Sequence, residues 1–147
     1  MKQFKTIITL ICIPLLLMNT QCDDDDEIQD NVCGQSVIID NDYFETAVSN
    51  EYALVGYSIN GDCLSIEISA SGCDGESWSM VLVDSGTITE SSPEQRYLKF
   101  VFTNDELCLA VFSQSRVFNL ANLRVEGSNE IVLNIEGFPE AITYMYP

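Results

Sequence analysis

The chain contains no histidine. That removes the usual general base near neutral pH, the Ser-His-Asp and Cys-His pairs of nucleophilic hydrolases, and the commonest zinc ligand. Basic residues are scarce as well, with 6 Lys and Arg against 23 Asp and Glu and a formal net charge of −17. A protein that grips nucleic acid needs a basic face to neutralise phosphates, so that class is excluded. Direct docking on an anionic lipid surface is disfavoured for the same reason. The longest apolar run falls short of the roughly 20 residues a membrane-spanning helix needs. No segment keeps a long 3.6-residue period, and no internal repeat is present.

What is there begins with a leader. Lys2 and Lys5 precede an uncharged stretch from Thr6 to Met18, rich in Ile and Leu and broken by Thr9 and Pro14. A basic start followed by a short apolar core is the pattern of a secretory signal peptide. The leader closes on Asn19-Thr20-Gln21-Cys22 instead of a small-x-small cleavage site. This resembles a bacterial lipoprotein signal in the loose form met in Bacteroidota, with Met18, Thr20 and Gln21 filling the positions before the cysteine. The resemblance implies that Cys22 is acylated and becomes the mature N-terminus. One acyl chain holds a protein only marginally to a bilayer, whereas several hold it firmly.

Asp23, Asp24, Asp25, Asp26 and Glu27 follow at once. Adjacent like charges repel and cannot be buried, so this run reads as an extended spacer. Placed directly after the cysteine, it is also similar to the export signal that sends some Bacteroidota lipoproteins to the outer face of the outer membrane. The expected organisation is a signal peptide over 1–21, lipidated cysteine and spacer over 22–31, and one domain over 32–147. Past residue 21, four basic residues face all 23 acids, a net charge of −19. Such a surface keeps the domain soluble and favours basic partners or divalent cations, the simplest reading being a well-solvated exterior. The expected location is the outer membrane, at the cell surface or on the periplasmic face, with the bilayer reached through Cys22 and the protein partner unidentified.

Cys12 leaves with the leader, and Cys33, Cys63, Cys73 and Cys108 remain in the domain. Four cysteines in an exported domain point to disulfides, and three pairings are open. The favoured set is Cys33–Cys63 and Cys73–Cys108, each closing a loop of about 30 residues and contributing about 3.5 kcal/mol in the chain-entropy picture. Without His and without Cys-x-x-Cys spacing, a zinc site is not expected.

From Val32 onward short apolar and β-branched runs alternate with turn signals, which predicts an all-β domain. Cys63–Ser69 alternates most cleanly, with Leu64, Ile66 and Ile68 on one face, and Asn60-Gly61-Asp62 joins it to a strand over Ala53–Ile59. Further strands are expected over Trp78–Val83, Arg96–Phe102, Leu107–Phe112, Arg116–Leu120, Glu130–Ile135 and Ala141–Tyr146, with a chain reversal at Asp84-Ser85-Gly86. Asp40–Val48 could hold one helical turn. About eight short strands at this spacing fit a two-layer antiparallel β-sandwich, immunoglobulin-like or similar.

"VIIDNDYFETA", "GDCLSIEISASGCDGESW", "LVDSG", "ESSPEQRYLKF", "NDELCLAVF", "FNLANL" and "ITYMYP", in this order, resemble a family of small Bacteroidota lipoproteins over nearly the whole domain. The resemblance implies a lipid anchor and a disulfide-stapled β domain. It brings no catalytic residues.

Motifs with chemistry are few. Gly56-Tyr57-Ser58-Ile59-Asn60 nearly matches a nucleophile elbow, but Asn60 replaces the second Gly and the segment enters a hairpin, not a helix. Asp40-Asn41-Asp42 echoes a calcium loop, but Glu45 stands where the Gly belongs. Trp78 could be a sugar platform; opening an apolar strand, it reads better as core. Gly72, Asp74, Gly75 and Glu76 around Cys73 make the one glycine-flexible, acidic loop that could present a binding surface. No catalytic residue, metal or cofactor is expected. The function expected is a non-enzymatic binding or accessory module, with a carboxylate-pair hydrolase or a calcium-dependent adhesion module as the alternatives.

Overall fold

The computed structural model describes residues 33–147. The leader, Cys22 and the acids of residues 23–27 lie outside them. In chain order come β1 (Gln35–Ser36), β2 (Ile38–Ile39), α1 (Asn41–Thr46), β3 (Ala53–Asn60), β4 (Cys63–Gly72), β5 (Ser79–Thr89), β6 (Glu94–Thr103), β7 (Ala110–Asn119), a 3-10 turn (Ala121–Leu123), β8 (Glu130–Ile135) and β9 (Ile142–Met145). The strands form two sheets packed face to face. The first has the order β1-β7-β4-β3 and the second β2-β5-β6-β8-β9.

Alternation decides which way each strand faces. On β4, Leu64, Ile66 and Ile68 are fully buried while Ser65 and Glu67 between them are not. They meet Leu98, Phe100 and Phe102 of β6 and Ile131 and Leu133 of β8 in one core. Trp78 belongs to that core, its ring edge-on to Phe102 at 5.1 Å, so it offers no exposed sugar platform. Asp40 closes the N-terminus of α1 by accepting from the Tyr43 N–H at 2.8 Å, which makes it a helix cap rather than a calcium ligand.

The sandwich expected from the sequence is there, with three differences. The Asp84-Ser85-Gly86 segment does not reverse the chain: β5 runs straight through it, with a shift in register against β6 between Asp84 and Ile88. Turn residues here make a bulge, because Gly86 takes φ +75° and the Asp84 carboxylate accepts from its N–H at 2.6 Å. Second, the strands expected over Leu107–Phe112 and Arg116–Leu120 are a single strand, β7, paired with β4 along its whole length. Third, the sheets are mixed, since β1–β7, β2–β5 and β6–β8 pair in parallel. The first two pairings place β1 in one sheet and β2 in the other, with the buried Val37 between them closing that flank.

Inside the sandwich Arg96 donates to Asp84 at 3.0 Å and to the Leu123 carbonyl at 2.8 Å. Burial pushes the Asp84 carboxyl up, against the opposing pull of the Gly86 N–H and Arg96. Such a buried pair adds little net stability, but removing one member strands the other charge at about 3–5 kcal/mol.

Candidate functional site

Two disulfides hold the ends of β4. Cys33–Cys63 has a Cα separation of 4.9 Å and Cys73–Cys108 one of 4.8 Å. The second staples the loop over residues 72–77 to the segment that leads into β7.

That loop is the candidate binding surface of the sequence, where a turn stapled by Cys73 is the preferred reading, and its amides are turned onto the chain's own carboxylate. The backbone N–H groups of Cys73, Asp74 and Gly75 all donate to Glu106 Oε2, at 2.5, 3.3 and 3.1 Å. The Ser77 hydroxyl donates to Oε1 of the same carboxylate at 2.8 Å. Successive backbone N–H groups turned to one point form a nest for an anion. Desolvation pushes the Glu106 carboxyl up, but these donors outweigh it and hold the group down at about 2. A Cβ at Gly72 would press on the Glu106 carboxylate and sit 3.0 Å from Trp78 Nε1, so a larger residue there would push the carboxylate out of the nest. Asp74 accepts from the Glu76 N–H at 2.9 Å, and Gln114 donates to the Gly75 carbonyl at 2.8 Å. Of the four candidate residues, Asp74 and Glu76 therefore present exposed carboxylates, while Gly72 and Gly75 serve close packing. Glu106 was not among the candidates. The one sequence signal for it is indirect: it lies two residues before Cys108, so a Cys73–Cys108 pairing must bring it to the loop.

A cleft opens elsewhere, where the segment between α1 and β3 crosses from one sheet to the other. Two pockets lie there, and Ser49 and Tyr52 line both. One, about 390 Å³, is lined by residues including Lys99, Phe100 and Glu136; the other, about 510 Å³, includes Asn50, Glu51 and Ser71. Lys99 is spent within the fold, donating to the Phe44 carbonyl at 2.6 Å and lying 3.6 Å from Glu136 and 5.0 Å from the Phe44 ring centre. Burial, and then the Glu136 charge, push the Tyr52 hydroxyl up, so it stays protonated at neutral pH. The hydrolase alternative asks for a cleft carboxyl with a raised pKa. Asp84 is raised, but it is fully buried and bound to Arg96, out of reach of any substrate. Among the described residues no three His, Cys, Asp or Glu side chains gather as a metal site.

The remaining feature is apolar. Leu107 and Leu109, in the segment around Cys108 that precedes β7, and Val111, near the start of β7, are 94%, 89% and 71% exposed.

No protein-family model and no curated protein matches the chain. Among solved structures it is similar to a protein of unknown function, DUF1344, from Bacteroides vulgatus, at 16% identity and a TM-score of 0.55 over 79% of this chain and 58% of that one. It is similar to a NigD-like immunity protein from Bacteroides caccae at 10% identity and a TM-score of 0.55, over 76% of this chain and 58% of that one. A putative toxin-related protein from Parabacteroides distasonis gives 16% identity and a TM-score of 0.51 over 76% and 59%. The chain thus spans under three fifths of the length of each. At these identities the likeness is one of fold: the two-sheet sandwich described above is shared with small proteins of Bacteroidota.

Proposed function

We propose that the protein is a lipid-anchored binding module of the bacterial envelope that acts by contact rather than by catalysis. Cys22 carries the acyl chains, residues 23–27 form an acidic spacer that directs the domain to the outer face of the outer membrane, and the sandwich meets a protein partner. The observation that carries this reading is how the side chains are allocated. Glu106, Ser77 and the amides of the loop, and Lys99 beside the cleft, are turned onto the chain's own atoms, whereas Leu107, Leu109 and Val111 are turned to solvent. Fully burying one such side chain contributes about 1.5–3 kcal/mol, so a row of them favours an interface. An immunity role, the function in the name of the B. caccae neighbour, is compatible with action by binding alone, and it is a narrower form of the same proposal.

Mass analysis of the mature N-terminus, together with protease treatment of intact cells, tests the reading. Acylated Cys22 and release of the domain without lysis are expected. An unacylated Cys22 would remove the anchor, and a domain protected until lysis would move it to the periplasmic face.

A further inference from the structure

Sheet edges are where a β protein accepts or refuses another strand, and the described edges of this sandwich differ. β3 borders the first sheet, but it carries a register shift between Leu54 and Gly56, and its Tyr57 is tied to Glu140 by a hydrogen bond and to Phe138 by ring contact. β9 has four residues and β2 has two. β7 is different. On one side it pairs with β4 from Ala110 to Asn119; on the other, β1 covers only Phe118 and Asn119. Arg116 stands in register with the inward Ile66, and Gly34, just before β1, lies close against the Val117 backbone. From Ala110 to Ser115 the outer edge has no strand beside it among the described residues.

The side chains there suit a visitor. Ser113 and Ser115 are small, uncharged and exposed, so they raise no barrier to a strand alongside. Val111 alternates with Phe112 onto the same outward face as Ser113 and Ser115, and Leu107 and Leu109 are exposed in the segment just upstream of β7. The Cys73–Cys108 disulfide and the Glu106 carboxylate hold this segment in place, so it is presented in an ordered form.

Charge selects the partner. Residues 33–147 carry 17 acids and four basic residues. Three of the four basic side chains, Arg96, Lys99 and Arg124, are already paired with acids. Asp74, Glu76 and Asp105 lie in the two segments that flank the apolar row. A second copy would bring the same acids to the same place and be repelled, whereas a basic segment would be attracted.

We propose, resting on the binding-module reading above, that the Ala110–Ser115 edge with Leu107, Leu109 and Val111 is the docking site for an extended, apolar and basic segment of another protein, added as a strand beside β7.

The test uses the purified full chain and a short synthetic peptide alternating Val with Lys, with a Val-Glu peptide of equal length as the control. Amide exchange is followed residue by residue. The Val-Lys peptide should slow exchange between Ala110 and Ser115, more weakly at high salt, and the Val-Glu peptide should not. Replacing Leu109→Ser together with Val111→Ser should weaken binding at least about tenfold. Val48→Ser, which removes a similarly exposed apolar group elsewhere, should leave binding unchanged. All three positions are exposed, so the variants are expected to fold. The proposal is overturned if neither peptide binds, if both bind equally, if protection falls on β3, or if the chain protects its own edge by self-association as its concentration rises. None of these readouts depends on acylation of Cys22, so failure of the anchor and failure of the edge are separable.

Discussion

The two ends of β4 solve the same problem differently. At its start, Cys63 is bonded to Cys33, and neighbouring Asp62 accepts from Arg124 Nη2 at 2.7 and 2.8 Å and from the Tyr144 hydroxyl. Burial first, and then the Asp62 carboxylate, push that hydroxyl up to about 12. The Arg124 hydrogen bond, followed by that of Tyr144, holds Asp62 down. Arg124 also lies 5.6 Å from the Tyr146 ring centre, and the buried Phe118, Leu120 and Leu123 pack nearby in the core. This end is sealed by β1, the β3–β4 hairpin, the 3-10 turn and the last strand. At the far end a disulfide and a carboxylate are used again, but they organise a projecting segment whose apolar groups remain in water. One acid–disulfide pair completes the fold; the other holds a surface open.

Removing each disulfide tests that contrast at its largest. The sequence separations are 30 and 35, so chain entropy assigns both a similar loss, about 3.5 kcal/mol each. Urea unfolding of Cys33→Ser/Cys63→Ser and of Cys73→Ser/Cys108→Ser should show comparable losses of global stability. Peptide docking at β7 should fail only in the second. Equal docking in the two variants would mean that the staple does not order the segment.

Next come the carboxylates. Asp62→Ala should cost about 1–2 kcal/mol in urea unfolding, a figure discounted because the pair is about a third exposed to solvent. Glu106→Ala should act locally, releasing the amides of Cys73, Asp74 and Gly75 to exchange and shifting the emission of Trp78, the only tryptophan, whose ring lies against Gly72 and Gly75. If Asp62→Ala shifts Trp78 emission as much, the two ends are coupled and the contrast fails.

Acid should affect both ends in the same direction. Glu106 is held at about 2, below the ordinary value of about 4.3 that it regains on unfolding. A depressed carboxyl contributes stability that is complete above the unfolded value and is lost as pH falls through the folded one. The Trp78 signal should therefore hold at neutral pH and change between roughly pH 4 and 2. In Glu106→Gln that transition should be absent. The smallest effect is expected for Leu107→Ser, at 94% exposure: within about 0.5 kcal/mol of the parent in stability.

How much of this was legible beforehand varied with the range of the interaction. β4 and β8 could be read from alternation and hairpin chemistry, because a two-residue period and a turn are local properties. The buried Arg96 left a trace too, standing on the same alternating face as Leu98, Phe100 and Phe102. What it meets inside the core was not legible, because Asp84 carries the signature of a turn. The same residues make a bulge once β6 lies alongside, and only the paired strand distinguishes the two outcomes. Likewise Leu107 and Leu109 read as part of a strand until β4 is seen to end at Gly72, opposite Ala110, leaving them without a strand to pair with.

The sequence by itself determined the β class, the period and facing of the main strands, the surplus of acid and the absence of a histidine-based site, since each follows from residue types and short spacings. Only the tertiary structure decided the parallel pairings of β1, β2 and β8, the capture of Glu106 by amides some 30 residues away, and which stretch of edge stays open. These depend on where distant segments meet, and no local preference in the chain encodes that meeting.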